Sequence, residues 1–259
     1  FFGEDILRSH VGTWEEVFQA LQRGEADYGV VPIENSSTGS ISQVYDLLAQ
    51  YGHYIVGEQT VKVDHCLAAP AGESLGSITT VYSHEQGLLQ CAGYLKRGGW
   101  TCVPRLNTAE SALFVAQSRE SGQAAVCSHR AARLYGLEIL ADHISDSDSN
   151  HTRFVVVSPV MERRAGCDKI SILFRLPHRA GSLHELLALF AVNGLNLLKL
   201  ESRPIPGRSW EYRFFADFSG DLTAPGMEGV LLELFQTAEQ LRVLGKHLGQ
   251  KGPLDFAAG

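Results

Sequence analysis

From Thr13 to Ser158, short apolar runs of strand type alternate with stretches whose apolar residues recur at helical spacing. A chain patterned this way is neither a helical bundle nor an all-β sandwich. The first helix opens on a capping box, Thr13-Trp14-Glu15-Glu16, carries Trp14, Val17, Phe18 and Leu21 on one face, and ends at Gly24. Tyr28–Ile33 is a strand-type run, Glu34–Ser40 a polar loop of small residues, and Ile41, Val44, Tyr45 and Leu48 mark a second helix. Strands are expected at 60–68, 78–83, 100–105, 123–127 and 153–158, and helices at 85–97, 109–117 and 129–135. Thr108 and Ser128 are the expected N-caps of the last two helices. The pattern predicts an α/β region with a mostly parallel sheet, its polar strand-to-helix loops lining a cleft at the carboxyl ends of the strands.

The pattern breaks at residues 159–168, where Met161–Gly166 is charged and aperiodic and reads as a linker. It then restarts as a compact unit over residues 169–250. Lys169–Leu176 alternates; Leu183, Leu186, Leu187 and Phe190 stripe a helix; Asn196–Ile205 and Trp210–Phe218 form a hairpin about Pro206-Gly207-Arg208; and a helix near Val230–Leu241 leads to a last strand at 243–248. The order β-α-β-β-α-β is that of the ferredoxin-like split unit. A Gly/Ala-ended tail, 251–259, follows.

Composition narrows the function. The 22 Lys and Arg against 29 Asp and Glu leave a net charge of −7, the wrong sign for holding phosphate backbones, so no nucleic-acid partner is expected. No apolar stretch approaches the roughly 20 residues that span a bilayer, so no membrane role is expected either. Phe1–Asp5 has neither the basic start nor the apolar run of a signal peptide. The five cysteines (66, 91, 102, 127 and 167) are odd in number, contain no C-x-x-C pair and sit among apolar neighbours. They read as buried free thiols of a cytoplasmic protein, with no metal and no cofactor implied.

Several chemistries lack their motifs: there is no G-x-G-x-x-G and no Walker loop. Asp146-x-Asp148-x-Asn150 imitates the start of an EF-hand loop, but His151 stands where that loop needs Gly and Val157 where it needs Glu. Three polar clusters remain where strands should end: Pro32–Ser40, Ser83-His84-Glu85-Gln86 with Gln90, and Asn150-His151-Thr152-Arg153-Phe154. Each alone reads first as loop and capping residues that satisfy helix N-termini. Together they offer neutral hydrogen-bonding groups and one guanidinium, a set suited to a small polar anion and to chemistry by orientation and hydrogen-bond donation.

These clusters resemble the motifs of the prephenate dehydratase family. The resemblance rests on Gly29–Ser36, on Ser83-His84-x-Gln86 with Gln90-Cys91, on Asn107-Thr108-Ala109-x-Ser111-Ala112 and on Asn150-x-Thr152-Arg153-Phe154. Residues 169–250 resemble an ACT regulatory domain, with Glu201-Ser202-Arg203-Pro204 as the signature of the form attached to this enzyme. The resemblance covers about residues 1–248 and departs in two places. The strand and Gly-rich loop G-P-x-G-T-[FY]-S with which the family begins are expected to precede Phe1, which is not a methionine. The effector motif G-A-L-x reads Gly181-Ser182-Leu183-His184.

The resemblance implies a two-lobed, periplasmic-binding-protein-like catalytic region (1–158) and a ferredoxin-like ACT domain. One lobe would be about 1–58 with 144–158, the other about 59–143, and their closure would exclude water. It implies decarboxylative dehydration of prephenate to phenylpyruvate, feedback-regulated by L-phenylalanine, without a cofactor. Thr152 maps onto the essential threonine, a donor to the departing hydroxyl. Asn35, Ser36, Ser83, Gln86, Gln90, Thr108, Arg153 and Phe154 are implied to bind substrate, Arg153 through a carboxylate or else as a structural brace. Gly181, Ser182, Leu183, Asn196, Glu201, Ser202 and Arg203 are implied to bind L-phenylalanine between paired domains of a homodimer or homotetramer. The alternatives are an arogenate dehydratase and a non-catalytic binder of small anions or amino acids.

Overall fold

In a computed structural model, residues 2–3, 5–118, 120–162 and 166–249 are described; positions 163–165 of the expected linker, Gln250 and the tail 251–259 lie outside them. The first segment carries α1 (Trp14–Gln22), β1 (Gly29–Asn35), β2 (Gly39–Ser40), α2 (Ser42–Tyr51) and β3 (Tyr54–Lys62). Next come β4 (Cys66–Ala69), β5 (Thr80–His84), α3 (Glu85–Gln90), α4 (Ala92–Gly98), β6 (Thr101–Arg105), α5 (Thr108–Gln117), β7 (Gln123–Cys127), α6 (His129–Leu134) and β8 (Glu138–Ala141). The chain then returns as β9 (His151–Ser158) and ends in β10 (Lys169–Arg175), α7 (Ser182–Val192), β11 (Leu197–Pro204), β12 (Tyr212–Ser219), α8 (Met227–Thr237) and β13 (Gln240–His247). These elements cluster into two units: one spans Lys62–His151, and the other gathers the described residues up to Val61 and those from Thr152 to Gly249. Among the described residues no helix is long and apolar enough to cross a membrane.

In the unit built from the first and last elements, one sheet has the order β2-β1-β9-β3 and another β11-β12-β10-β13. The expected capping box of α1 is present: Thr13 Oγ1 accepts from the Glu16 amide at 3.2 Å, and Glu16 Oε2 accepts from the Thr13 amide at 3.1 Å. Helices α1 and α2 bury Phe18, Leu21, Val44 and Leu48 against Val31, Ile33, Val155 and Val157 of β1 and β9. The C-terminal elements follow the expected β-α-β-β-α-β order, with α7 and α8 covering Ile170, Ile172, Phe174, Ala216 and Phe218. Their sheet is covered on its other face as well. Phe215 and Leu244 enter the same core as α1 and α2, and the Phe215 ring meets Tyr45 edge-on at 4.9 Å. The polar stretch after Ser158 therefore does not set the C-terminal elements apart.

The closest backbone approach in this docking is at Gly245, where a Cβ would stand 1.9 Å from the Ile55 carbonyl oxygen. Only a residue without a side chain lets β13 lie so near β3.

The other unit is built on the sheet β6-β5-β7-β4-β8. All five residues of β7 are buried, because both sheet faces are covered: Ala112, Val115 and Ala132 pack on one side and Ile78, Leu95 and Ile144 on the other. That is why residues 124–127 of this strand read as an unbroken apolar run.

Several sequence expectations need correction. The sheets are not mostly parallel: β5 pairs parallel with β6 and β7, but β1 pairs antiparallel with β2 and β9, and β4 antiparallel with β7 and β8. The strand expected at 60–68 is two strands broken at Val63-Asp64-His65, and β8 was not foreseen. The helix expected at 85–97 breaks at Cys91, and Asp146 Oδ2 accepts the Gly93 amide at 2.9 Å, capping α4 from a distant loop. The acidic run that imitates an EF-hand thus has a structural use. The N-cap of α5 is Asn107, whose Oδ1 accepts from the Glu110 amide at 2.7 Å, and Thr108 is its first helical residue; Ser128 caps α6 as expected. Four of the cysteines are buried, but Cys102 is exposed.

Replacing Gly245 by alanine is expected to destabilise the full chain by about 1–3 kcal/mol or more, because backbone must retreat from backbone. The urea midpoint of Gly245→Ala against the parent chain checks this.

Candidate active site

Antiparallel register places Asn35 of β1 opposite Thr152 of β9. Asn35 turns the chain after β1: its Oδ1 accepts from the amides of Ser37 at 2.9 Å and Thr38 at 3.2 Å. Two backbone donors on one oxygen fix which end of the amide is which. The NH2 group therefore points the other way, and Nδ2 donates to Thr152 Oγ1 at 2.9 Å. A hydroxyl that accepts from an amide in this way is left to offer its own proton elsewhere. Ser36 lies exposed in the same turn.

Successive strand residues point to opposite faces, so Thr152 and Phe154 share one face of β9 and Arg153 takes the other. The Arg153 side chain is only 15% exposed and meets three carboxylates of the chain itself. One terminal nitrogen donates to Asp217 at 2.9 Å and to Glu58 at 3.3 Å, and the other to Glu34 at 2.9 Å. Of the two roles open to Arg153, carboxylate ligand or brace, this geometry fits the brace. A substrate carboxylate would have to displace one of these partners.

The surrounding charges form a buried network. Lys169 Nζ lies 2.7 and 2.8 Å from the two oxygens of Glu58, whose side chain is 3% exposed. Lys199 Nζ donates to Glu34 at 2.6 Å and to Ser40 Oγ at 2.9 Å, and Ser40 Oγ donates to Glu201 at 2.6 Å. Ser171 Oγ donates to Asp217 at 2.7 Å, so it accepts from His247 Nε2 at 3.1 Å, which sets the His247 tautomer. Burial holds His247 below its usual pKa. Burial pushes the Glu58 carboxyl up, but Lys169 outweighs it, and Glu58 lies below the usual carboxylate range. Asp217 is lowered likewise, burial being overcome by Arg153. For Glu34, burial is overcome by Lys199 and Arg153.

The second unit holds the remaining expected substrate residues. Ser83 is fully buried and its hydroxyl donates to the Val126 carbonyl at 2.7 Å. His84 caps α3 by accepting the Gln86 amide on Nδ1 at 3.2 Å, and the Gln86 side chain is exposed. Gln90 Oε1 meets His65 Nε2 at 3.0 Å; burial lowers the pKa of His65, so Nε2 is the protonated nitrogen of a neutral ring donating to Gln90. Sequence reasoning did not single out His65, whose neighbours give no motif.

The expected effector residues fall in three places. Gly181 is the left-handed N-cap of α7, and Ser182 and Leu183 line a pocket of about 100 Å³ with Pro177, Arg179, Tyr212 and Phe214. Asn196 is tied by its backbone to Ser219. In β11, Glu201 reaches Ser40, and Arg203 makes a forked pair with Asp46 at 3.2 and 2.7 Å, with Ser202 between them. Glu201 and Arg203 thus point to partners in the first segment, not to each other.

The family model for prephenate dehydratase matches residues 1–162. The bifunctional chorismate mutase/prephenate dehydratase of Escherichia coli K12 is 36% identical over 245 residues, 93% of this chain and 64% of that protein. The crystal structure of a prephenate dehydratase from Arthrobacter aurescens in complex with L-Phe is 31% identical, with a TM-score of 0.83 over 96% of this chain and 84% of that one. A structure described as GqqA, a novel type of quorum quenching acylase, has a TM-score of 0.85 at 30% identity, covering 93% of this chain and 89% of that one. The chain spans about 64% of the length of its curated bifunctional relative. The chain, with its mixed α/β fold, belongs to the prephenate dehydratase family.

The buried carboxylates have depressed pKa values, so their stabilisation is complete above the unfolded value near about 4 and is lost as pH falls through the lower folded values. Because burial also holds His65 and His247 below their usual value, the urea midpoint should start to fall as pH drops through about 6.5, where the unfolded chain takes up protons the buried rings do not, and fall further below about 4. Glu58→Gln strands Lys169 beside a neutral amide and is expected to cost about 3–5 kcal/mol at neutral pH, with a shallower acid dependence than the parent chain.

Proposed function

We propose that this chain catalyses the decarboxylative dehydration of prephenate to phenylpyruvate. The prephenate dianion takes up one proton, the ring hydroxyl leaves as water, the ring carboxylate leaves as CO2, and the electron pair of the breaking C–C bond completes the aromatic ring. Aromatisation supplies the driving force, so the site needs a well-placed donor to the leaving oxygen rather than a strong base. The observation that carries this reading is the Asn35–Thr152 hydrogen bond, whose fixed sense directs the Thr152 proton away from Asn35. Threonine is a weak acid, so it acts by hydrogen-bond donation or by relaying a proton from water. Arg153 is the brace that holds β9 against β12 through Asp217, rather than a substrate ligand.

The C-terminal β-α-β-β-α-β elements are, on this reading, an ACT regulatory domain for L-phenylalanine. The reading is supported by the L-Phe complex of the Arthrobacter aurescens relative and by the pocket beside Gly181-Ser182-Leu183. Feedback needs about 1–3 kcal/mol of coupling. The buried network offers it a short route, because Asp217 of β12 holds Arg153, the chain neighbour of Thr152.

Phenylpyruvate formation by the full chain tests both parts. Thr152→Ala should lower kcat by about 10²–10⁴ with little change in KM, and Thr152→Ser should retain most of the rate. Near-normal turnover by Thr152→Ala overturns the role of Thr152. L-phenylalanine should suppress the reaction of the parent chain; turnover indifferent to it overturns the regulatory reading alone.

A further inference from the structure

The register of the C-terminal sheet sets Arg175 of β10 directly opposite both Arg213 of β12 and Gln240 of β13, and sets Arg242 of β13 opposite Leu173. Opposite residues, and residues two apart on a strand, share a sheet face. Three guanidiniums therefore stand on one face of three adjacent strands. They line a single pocket of about 220 Å³ together with Ala49 of α2. Like charges placed directly opposite in a sheet destabilise it, and in a chain of net charge −7 such a grouping is not a consequence of composition.

The three cations are compensated unequally. Arg175 is paired with Glu211 at 2.8 Å and Glu239 at 3.4 Å. Arg242 donates through one terminal nitrogen to the carbonyls of Leu48 at 3.3 Å and His53 at 3.1 Å, at the end of α2. Its Nε is buried and has no hydrogen-bond partner, and burial, reinforced by the charge of Arg213, holds its pKa below the usual value. Arg213 is half-buried and makes no hydrogen bond or ion pair among the described residues. A pocket lined by three guanidiniums, one of them unopposed, lacks an acceptor, and a planar or tetrahedral oxyanion supplies several at once.

We propose that this pocket is a binding site for a small oxyanion, a phosphate or a carboxylate, held by Arg213 in the positive field of Arg175 and Arg242. At ~30 Å³ for each water the pocket has room for about seven waters, enough for phosphate or a short dicarboxylate and too little for a nucleotide. The site is independent of the Asn35–Thr152 pair and shares no residue with the pocket beside Gly181.

Calorimetric titration of the full chain tests the site, with inorganic phosphate in one arm and malonate in the other, at an ionic strength held constant with chloride. The parent chain should show saturable binding. Arg213→Gln should weaken it by about tenfold or more, the loss of one charge-assisted contact, while Arg97→Gln leaves it unchanged. The tighter of the two anions identifies whether phosphate or carboxylate is the natural group. In chloride alone Arg213→Gln should unfold at the same or a higher urea concentration than the parent, because a like-charge neighbour is gone; this separates lost binding from lost structure. Arg213→Lys keeps the charge without the fork and should bind more weakly than the parent. Absence of saturable heat with both anions, or parent-like affinity in Arg213→Gln or in Arg213→Lys, overturns the proposal.

Discussion

Arg153 holds the largest unit of this protein together. Its guanidinium joins Glu34 of β1, Glu58 of β3 and Asp217 of β12. Lys169 closes the far side of Glu58 and Lys199 the far side of Glu34. Three cations face three carboxylates, and Ser40, Ser171 and neutral His247 satisfy much of what remains. A network of this kind adds little over well-packed apolar residues when intact, but removing one member leaves a buried charge without its partner. What it contributes is register. Each ion has one position in which its partners are met, so the C-terminal sheet has one seat on the N-terminal elements.

Apolar contacts alone would not define that seat so narrowly. Phe215 and Leu244 enter the core of α1 and α2, but side chains of this kind tolerate sliding and repacking. The Gly245 backbone against Ile55 and the forked Arg203–Asp46 pair set the distance and the angle at two further points. The strand that carries Thr152 is thereby held from both faces: Asn35 fixes the hydroxyl on one, and Arg153 ties the backbone to β12 on the other. Positioning a donor to within a fraction of an ångström calls for this rigidity.

Much of the fold was legible in the chain itself. The capping box at Thr13, the alternation of Lys169–Leu176 and the hairpin about Pro206-Gly207 are local signals, and the structure follows them. The errors arose where partners are remote. The direction of β1 and β9 is not written in either strand, because an apolar run is compatible with parallel and antiparallel neighbours. The break at Cys91 follows from Asp146, more than fifty residues away, accepting the amide of Gly93. Cys102 sits among apolar neighbours in sequence yet lies exposed, since β6 is the edge of its sheet. Asn150–Phe154 reads as one polar cluster in the sequence, whereas strand alternation divides Thr152 from Arg153.

The sequence by itself determined the alternation of strands and helices, the split β-α-β-β-α-β unit and the motifs that mark the family, because each depends on neighbours within a turn or a strand. The tertiary structure alone decided which carboxylates surround Arg153, which way the Asn35 amide faces Thr152, and that Glu201 and Arg203 look to Ser40 and Asp46. It alone brought Arg175, Arg213 and Arg242 to one pocket. Those outcomes depend on groups scores of residues apart meeting in a low-dielectric interior, where a charge is tolerated only beside its partner, and no local pattern records who that partner will be.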